Sequence, residues 1–259
     1  MGTHPPHPPS LAGRPSRHPP PHPRPAPPHG RHPLRRPHRH PLALPPARLP
    51  TPPDRLRILR QKWETDGIFD QLTGLLRRLV REREGRDAHP SACVLDSQSV
   101  KTSANVHLAE GYDAAKKIAG RKRHIVTDTL GPLLTVLVTS AAVHDSTAGT
   151  HLLDQIAPRH PRVTKSWADS GYKNAAVEHA ATRGIDLEVV HRTPGSHTFT
   201  VQPRRWVIER TLGWFVHHRR LARDYETHPH RSAAMIRVAA IDLMSRRVTQ
   251  ESTTNWRDT

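Results

Sequence analysis

Leu72, Leu75, Leu76 and Leu79 recur at i, i+3, i+4 and i+7, which predicts an amphipathic helix with these leucines on its buried face, ending in the charged run REREGRD. The period then changes. Short runs with the length and content of strands follow at ACVLD (92–96), RHIVTDT (123–129), LLTVLVT (133–139), SWAD (166–169) and LEVVH (187–191). Gly131 and Pro132 separate the second run from the third, so those two are expected to form an antiparallel hairpin. Helical text fills 146–157 and 173–183, the latter stopped by Gly184. Two longer helices close the chain. In the first, Val207, Ile208, Thr211, Leu212 and Phe215 make the inward stripe, with Glu209 on its flank between Arg205 and Leu212. In the second, Ile236, Ala239, Ala240 and Leu243 face inward, and Arg231, Arg237, Arg246 and Arg247 add positive charge. Strands mixed with helices, hairpin included, predict an α/β fold with helices flanking one mixed sheet.

Composition divides the chain unevenly. Residues 1–53 hold 20 of the 27 prolines, 8 histidines, 8 arginines and no acidic residue. So few apolar side chains cannot offset the entropy of ordering the chain, and this segment is expected to be a disordered Pro/His/Arg-rich tail. Its histidines or its PxxP spacings offer themselves for metal or for an aromatic-lined partner. A plainer explanation is a GC-rich gene translated out of frame, because Pro, His, Arg and Ala codons are rich in C and G. The remaining expectations are a helical lead-in over 54–90, the main folded domain over 91–248 and a disordered C-terminus over 249–259.

The formal charge of +17 separates into +8 for residues 1–53 and +9 for the rest. Both parts attract polyanions, and nucleic acid is the natural partner for such a balance. Cys93 is the only cysteine, which excludes an intrachain disulfide and a cysteine-based zinc site; within an apolar run it reads as a buried small hydrophobe. No window approaches the roughly 20 apolar residues of a membrane span, and no signal-peptide stretch opens the chain. These features predict a soluble, intracellular protein that makes no use of a membrane.

Three carboxylates have distinctive surroundings: Asp96 ends ACVLD, Asp169 lies in WADSGYKN, and Glu209 lies within RRWVIERTLGWF. A polar residue directly after an apolar strand sits where loops converge and active sites collect. Carboxylates forced together repel unless a divalent cation compensates them, and hard Mg²⁺ or Mn²⁺ suits carboxylate oxygen. Three such groups can hold two divalent cations about 4 Å apart, one activating an attacking oxygen and one stabilising a departing oxygen. Taken singly, an Asp after a strand is more often a turn former or helix cap than a ligand, and a Glu in the place of Glu209 more often a surface partner of Arg205 or Arg210. His144 and Asp145, in AAVHDS, form another polar pair after a strand, and a helix N-cap by Asp145 or Ser146 is their simplest role.

Four ordered blocks sharpen the choice: VLDSQSVKTS (94–103), GYDAAKKIAGRKRHIVTDTLGPLL (111–134), WADSGYKN (167–174) and RRWVIERTLGWF with its sequel RRLARDYE. With KWETDGIFD before them, the chain resembles DDE-class insertion-sequence transposases of high-GC bacteria over roughly 55–248. The resemblance implies a ribonuclease-H-like fold in which the first and fourth strands are neighbours. It implies Asp96, Asp169 and Glu209 as catalytic and metal-binding residues, with Arg205 and Tyr172 matching the Arg of R-x-x-x-E and the aromatic of D-x-G-Y. The implied partner is double-stranded DNA, both terminal inverted repeats and target, bound by a homo-oligomer in a synaptic complex. Lys101, Lys116, Lys117, Arg121, Lys122, Arg123, Tyr172, Lys173, Arg205 and Arg210 would contact that DNA, and phosphate contacts make binding sensitive to salt.

The departures bear on function. Members of this branch begin with a helix-turn-helix module that reads the inverted repeats, and the Pro/His/Arg tail occupies its place here. Gln202 stands where the broader signature has Tyr, and Leu212 where an aromatic is common. Two functions follow: a working transposase, or a decayed remnant that binds DNA non-specifically.

Overall fold

The computed structural model describes residues 62–63, 65–104, 106–191 and 204–251. The expectations for the 1–53 tail, for Gln202 and for nearly all of the C-terminal segment lie outside the described residues. The elements in chain order are α1 (Ile68–Arg83), β1 (Ala92–Lys101), β2 (Gly111–Asp113), β3 (Ile118–Asp128), β4 (Leu133–Ser140), α2 (Asp145–Arg159), β5 (Lys165–Ala168), α3 (Ala175–Thr182), β6 (Asp186–Val189), α4 (Trp206–His217) and α5 (Pro229–Thr249). Two short 3₁₀ turns, Ser170–Tyr172 and Arg219–Leu221, complete the set.

β1 is central. It pairs antiparallel with β3 on one side and parallel with β5 on the other, and β6 continues the parallel part. β4 pairs antiparallel with β3 through the expected hairpin, and three-residue β2 extends the same edge of β3. The sheet is therefore mixed, and the first and fourth principal strands, β1 and β5, are neighbours as the ribonuclease-H-like expectation requires.

Alternation along the strands builds two cores. Val94, Ile125, Leu133, Val136 and Val138 face one side with Ile208 and Phe215 of α4 and Ile236 and Ala240 of α5. Cys93, Leu95, Val126 and Leu134 face the other, against Leu152, Leu153 and Ile156 of α2 and Ala176 and Ala180 of α3. Strands covered on both faces read as continuous apolar runs, which is why ACVLD and LLTVLVT show no polar alternation. The stripe expected for α4 is the one buried. In α5, Ile236, Ala239 and Ala240 are buried and Leu243 partly so. Burial pushes the Cys93 thiol up to about 12, consistent with an inert packed side chain.

α1 differs from expectation. Its inward residues are Phe69, Thr73, Arg77, Val80 and Arg81, with Leu76 partly buried, while Leu72, Leu75 and Leu79 are exposed. The rotation brings Arg81 to Asp128 at the end of β3, 2.8 Å away and fully buried. Leucine periodicity alone carries no information about that ion pair. β2 was too short for any periodic signal. Among the described residues, no helix is long and apolar enough to cross a membrane.

Candidate active site

β1 and β5 run in parallel with Val94 opposite Trp167, so Asp96 and Asp169, each two residues further on, are level with one another. Asp96 shares the Val94 face, the one that α4 covers, and α4 delivers Arg205 and Glu209 from one helical turn. One guanidinium nitrogen links all three acids. Arg205 Nη2 lies 3.3 Å from Asp96 Oδ2, 3.9 Å from Asp169 Oδ2 and 3.4 Å from Glu209 Oε1. Three carboxylates separated along the chain thus surround a single positive charge.

Their environments are unequal. Asp96 is 7 % exposed, and burial pushes its carboxyl up to about 6; Arg205 opposes that rise and Asp169 adds to it. Its Oδ1 accepts the Ser97 amide at 2.7 Å. Asp169 and Glu209 are about one-third exposed and open the site to solvent. Asp169 Oδ1 accepts the Gly171 amide at 2.9 Å, closing the short turn after β5. A Cβ on Gly171 would lie 2.8 Å from Asp145 Oδ2 and 3.0 Å from Asp169 Oδ1, so this turn accepts no side chain without displacement of the two acids.

Asp145 is a fourth carboxylate beside the site. The expected cap is absent: His144 occupies the N-cap position of α2 without a side-chain bond, and Asp145 reaches Lys122 Nζ at 3.2 Å. Lys122 also lies 3.6 Å from Asp113, and His124 sits 3.7 Å from Asp145 and 3.5 Å from the Tyr172 hydroxyl. Burial lowers the proton affinity of His124, keeping its ring neutral, and raises that of Tyr172 well above the usual phenol range. This network backs the Asp169–Tyr172 turn from within. A sequence signal for it was available, because His144 and Asp145 form a polar pair shortly after β4.

The basic residues divide by exposure. Lys101, Lys117 and Lys173 are exposed, and Lys116, also exposed, donates to the Ser97 carbonyl at 3.1 Å beside Asp96. Arg121 and Arg123 are buried instead. Arg121 donates to the Leu108, Glu226 and Thr227 carbonyls, and Arg123 to Leu221 and Arg223, so both hold the segment after α4 rather than facing solvent. Alternate residues of a strand face opposite sides, and this edge of β3 is covered on both. Lys122 is buried in its two ion pairs, and Tyr172 is fully buried. Arg210 lies between the Trp206 and Trp214 rings at 4.5 and 4.6 Å and donates to the Leu130 carbonyl.

Among the described residues, no three acidic, histidine or cysteine side chains stand as a ready-made metal shell; the carboxylates close on Arg205. The donor set nevertheless fits a hard divalent cation. It is all carboxylate oxygen, and burial, with Asp169 alongside, raises the proton affinity of Asp96 in spite of Arg205, so a further cation would favour its charged form.

Residues 87–243 match the family described as "Transposase DDE domain". The chain is also 37 % identical over 117 residues to a Burkholderia cepacia protein assigned as a transposase for insertion sequence element IS402. That similarity covers 41 % of this chain and 54 % of the relative, so the chain spans about half the length of the curated protein it matches. The mixed sheet, the neighbouring β1 and β5 and a family match across most of the described residues agree, and the chain belongs to the DDE transposase family.

Proposed function

We propose that this chain is the catalytic part of a DNA transposase that hydrolyses phosphodiester bonds at transposon ends and joins the freed strand to target DNA. The observation that carries the proposal is the convergence of Asp96, Asp169 and Glu209 within 4 Å of one nitrogen of Arg205. On this reading the catalytic domain is 91–248, close to the 87–243 matched to the family.

Asp96, Asp169 and Glu209 would hold two Mg²⁺ or Mn²⁺ ions, which supply activation of the attacking oxygen and neutralisation of charge on the leaving oxygen. The protein's own part is positional. Buried Asp96 is the fixed ligand, its Oδ1 set by the Ser97 amide, while Asp169 and Glu209, more exposed, adjust to the substrate. Arg205, buried among them, orients all three acids. Lys116 stands beside Asp96, and Lys101, Lys117 and Lys173 supply solvent-facing charge for backbone phosphates. Cleavage and joining at such a centre need no covalent protein intermediate, because alignment and charge stabilisation lower the barrier.

Incubation with Mg²⁺ and a duplex carrying the inverted repeats that flank the gene tests the proposal. Strand cleavage by the parent chain that disappears in Asp96→Asn supports it. DNA binding without cleavage by the parent would instead identify a remnant, and full cleavage by Asp96→Asn would remove the assigned site.

A further inference from the structure

A second concentration of positive charge lies two strands from β1, at the outer side of β4, where no other strand pairs among the described residues. A cavity of about 260 Å³ beside Leu133–Thr135 is lined by Asp70, Thr73, Arg77, Arg159, His160 and Arg237. A neighbouring cavity of about 710 Å³ shares Asp70, Arg159 and Arg237 and extends to Pro229 and His230 in the first turn of α5. Three guanidiniums therefore face one carboxylate, a local excess of two positive charges.

The ion pairs do not cancel that excess. Asp70 Oδ1 is 2.8 Å from Arg237 Nε and its Oδ2 is 3.7 Å from Arg159 Nη1, so one acid is shared by two arginines. Arg77 makes no hydrogen bond or ion pair among the described residues, although it is only 9 % exposed and its Nε is buried without a partner. Asp128, whose charge also acts on Arg77, is already bound by Arg81 at 2.8 Å. No side chain caps the N-terminus of the 21-residue α5, whose helix dipole adds further positive potential at the mouth of the larger cavity. Burial, reinforced by the charges of Arg77 and Arg159, holds the proton affinity of His160 down to about 4, as expected for a ring set in a positive field.

We infer that this edge cavity is a second anion site that binds phosphate oxygens, with Arg77 at its floor and Arg159 and Arg237 at its mouth. Guanidinium forks match the geometry of phosphate, and a half-buried pocket strengthens such contacts relative to open surface. The phosphate could belong to the DNA backbone or be free in solution; the chemistry recognised is the same. Binding here does not depend on what the carboxylate site does.

The test uses the full chain in EDTA, so that cleavage plays no part, with inorganic phosphate as probe and chloride of equal ionic strength as control. Phosphate in the millimolar range should raise the melting temperature of the parent chain. Arg159→Gln and Arg237→Gln should weaken phosphate binding about fivefold or more, since each removes a charged donor. Asp70→Asn changes a half-exposed side chain and should tighten binding about threefold by removing the one carboxylate that lines the cavity among the described residues. Short duplex DNA then separates the sources. A loss of duplex affinity in the arginine variants, with a salt dependence shallower by about one per charge removed, assigns the site to the DNA backbone. Unchanged duplex affinity in the arginine variants, with their phosphate binding weakened as above, assigns it to free phosphate. A parent chain indifferent to phosphate, or Asp70→Asn binding no more tightly than the parent, would overturn the inference.

Discussion

Arg205 Nη2 lies 3.3 Å from Asp96 Oδ2 with both side chains nearly excluded from solvent, and the same nitrogen reaches the two more exposed acids. The arginine is thus an internal counter-ion at the point where carboxylate charge is most concentrated. Arg205→Gln should destabilise the chain in EDTA by about 1–3 kcal/mol, less than a fully buried pair because two of the acids are partly hydrated. Added Mg²⁺ should then recover more stability in the variant than in the parent, because a divalent ion meets less competing positive charge. Chemical denaturation with and without Mg²⁺ measures both effects; an equal response of the two chains to Mg²⁺ would contradict the counter-ion role.

Asp96→Asn should separate chemistry from folding. The amide keeps the shape of the side chain and an oxygen for the Ser97 amide, while the buried charge that burial disfavours is gone. In EDTA the variant should melt no lower than the parent, and cleavage should fall by at least about a hundredfold, as expected when charge stabilisation is removed from an active site. A variant that is inactive and also markedly less stable would point to a structural role for Asp96.

Arg121 and Lys117 should behave oppositely despite their proximity in sequence. Arg121 is fully buried with its guanidinium engaged by three carbonyls and Asp224, so Arg121→Gln should cost roughly 3–5 kcal/mol of stability. Lys117 is exposed, and Lys117→Gln should leave stability within about 0.5 kcal/mol while reducing the salt dependence of DNA binding by about one. Urea unfolding and anisotropy titrations at several salt concentrations distinguish the pair. A soluble, fully stable Arg121→Gln would show that its carbonyl contacts contribute little.

Acid should weaken the fold through two histidines. Burial lowers the proton affinity of both His124 and His160, the latter to about 4 against an ordinary 6.5. A group bound less tightly to its proton in the folded state stabilises nothing at low pH: the folded form is favoured fully above about 6.5 and loses stability as pH falls toward about 4. At pH 5 each should cost about 1 kcal/mol relative to pH 7.5, after allowance for partial hydration of His160. His160→Gln should flatten this slope in urea titrations; an identical slope in parent and variant would exclude His160 as a contributor.

How much of this was legible beforehand depended on the kind of interaction. Apolar runs buried on both faces gave β1, β3, β4 and the inward stripe of α4, because burial acts on each residue nearly independently of its partner. Asp96, Asp169 and Glu209 stood out through their local text, yet only the register of β1 against β5 and the single turn from Arg205 to Glu209 bring them to one point. Pairwise polar choices were not legible. Nothing local to LLRRLVRER tells that Arg81 rather than a leucine faces inward, since its partner Asp128 lies 47 residues away. For the same reason Arg121 and Lys122 read as a basic loop, although the carbonyls of 226–227 and the acids Asp113 and Asp145 claim them.

Gly171 offers a way to disturb the site without altering any charge. Its amide donates to Asp169, and its Cα faces the gap between Asp169 and Asp145, which Lys122 anchors from the other side at 3.2 Å. An added methyl group would start 2.8 Å from one carboxylate oxygen and 3.0 Å from another, well inside contact distance. Asp145 is restrained by its buried ion pair, whereas Asp169 is about one-third exposed and has room to move, so the displacement should fall on Asp169. Gly171→Ala should therefore cost about 1–2 kcal/mol of stability, typical of mild overpacking, but reduce cleavage at least about tenfold, because an error near 1 Å in a catalytic group is felt strongly. Asp145→Asn gives the control: it keeps the crowding geometry of the parent, so its losses should appear in stability rather than cleavage. A Gly171→Ala chain that cleaves as well as the parent would show that the position of Asp169 is not what the turn maintains.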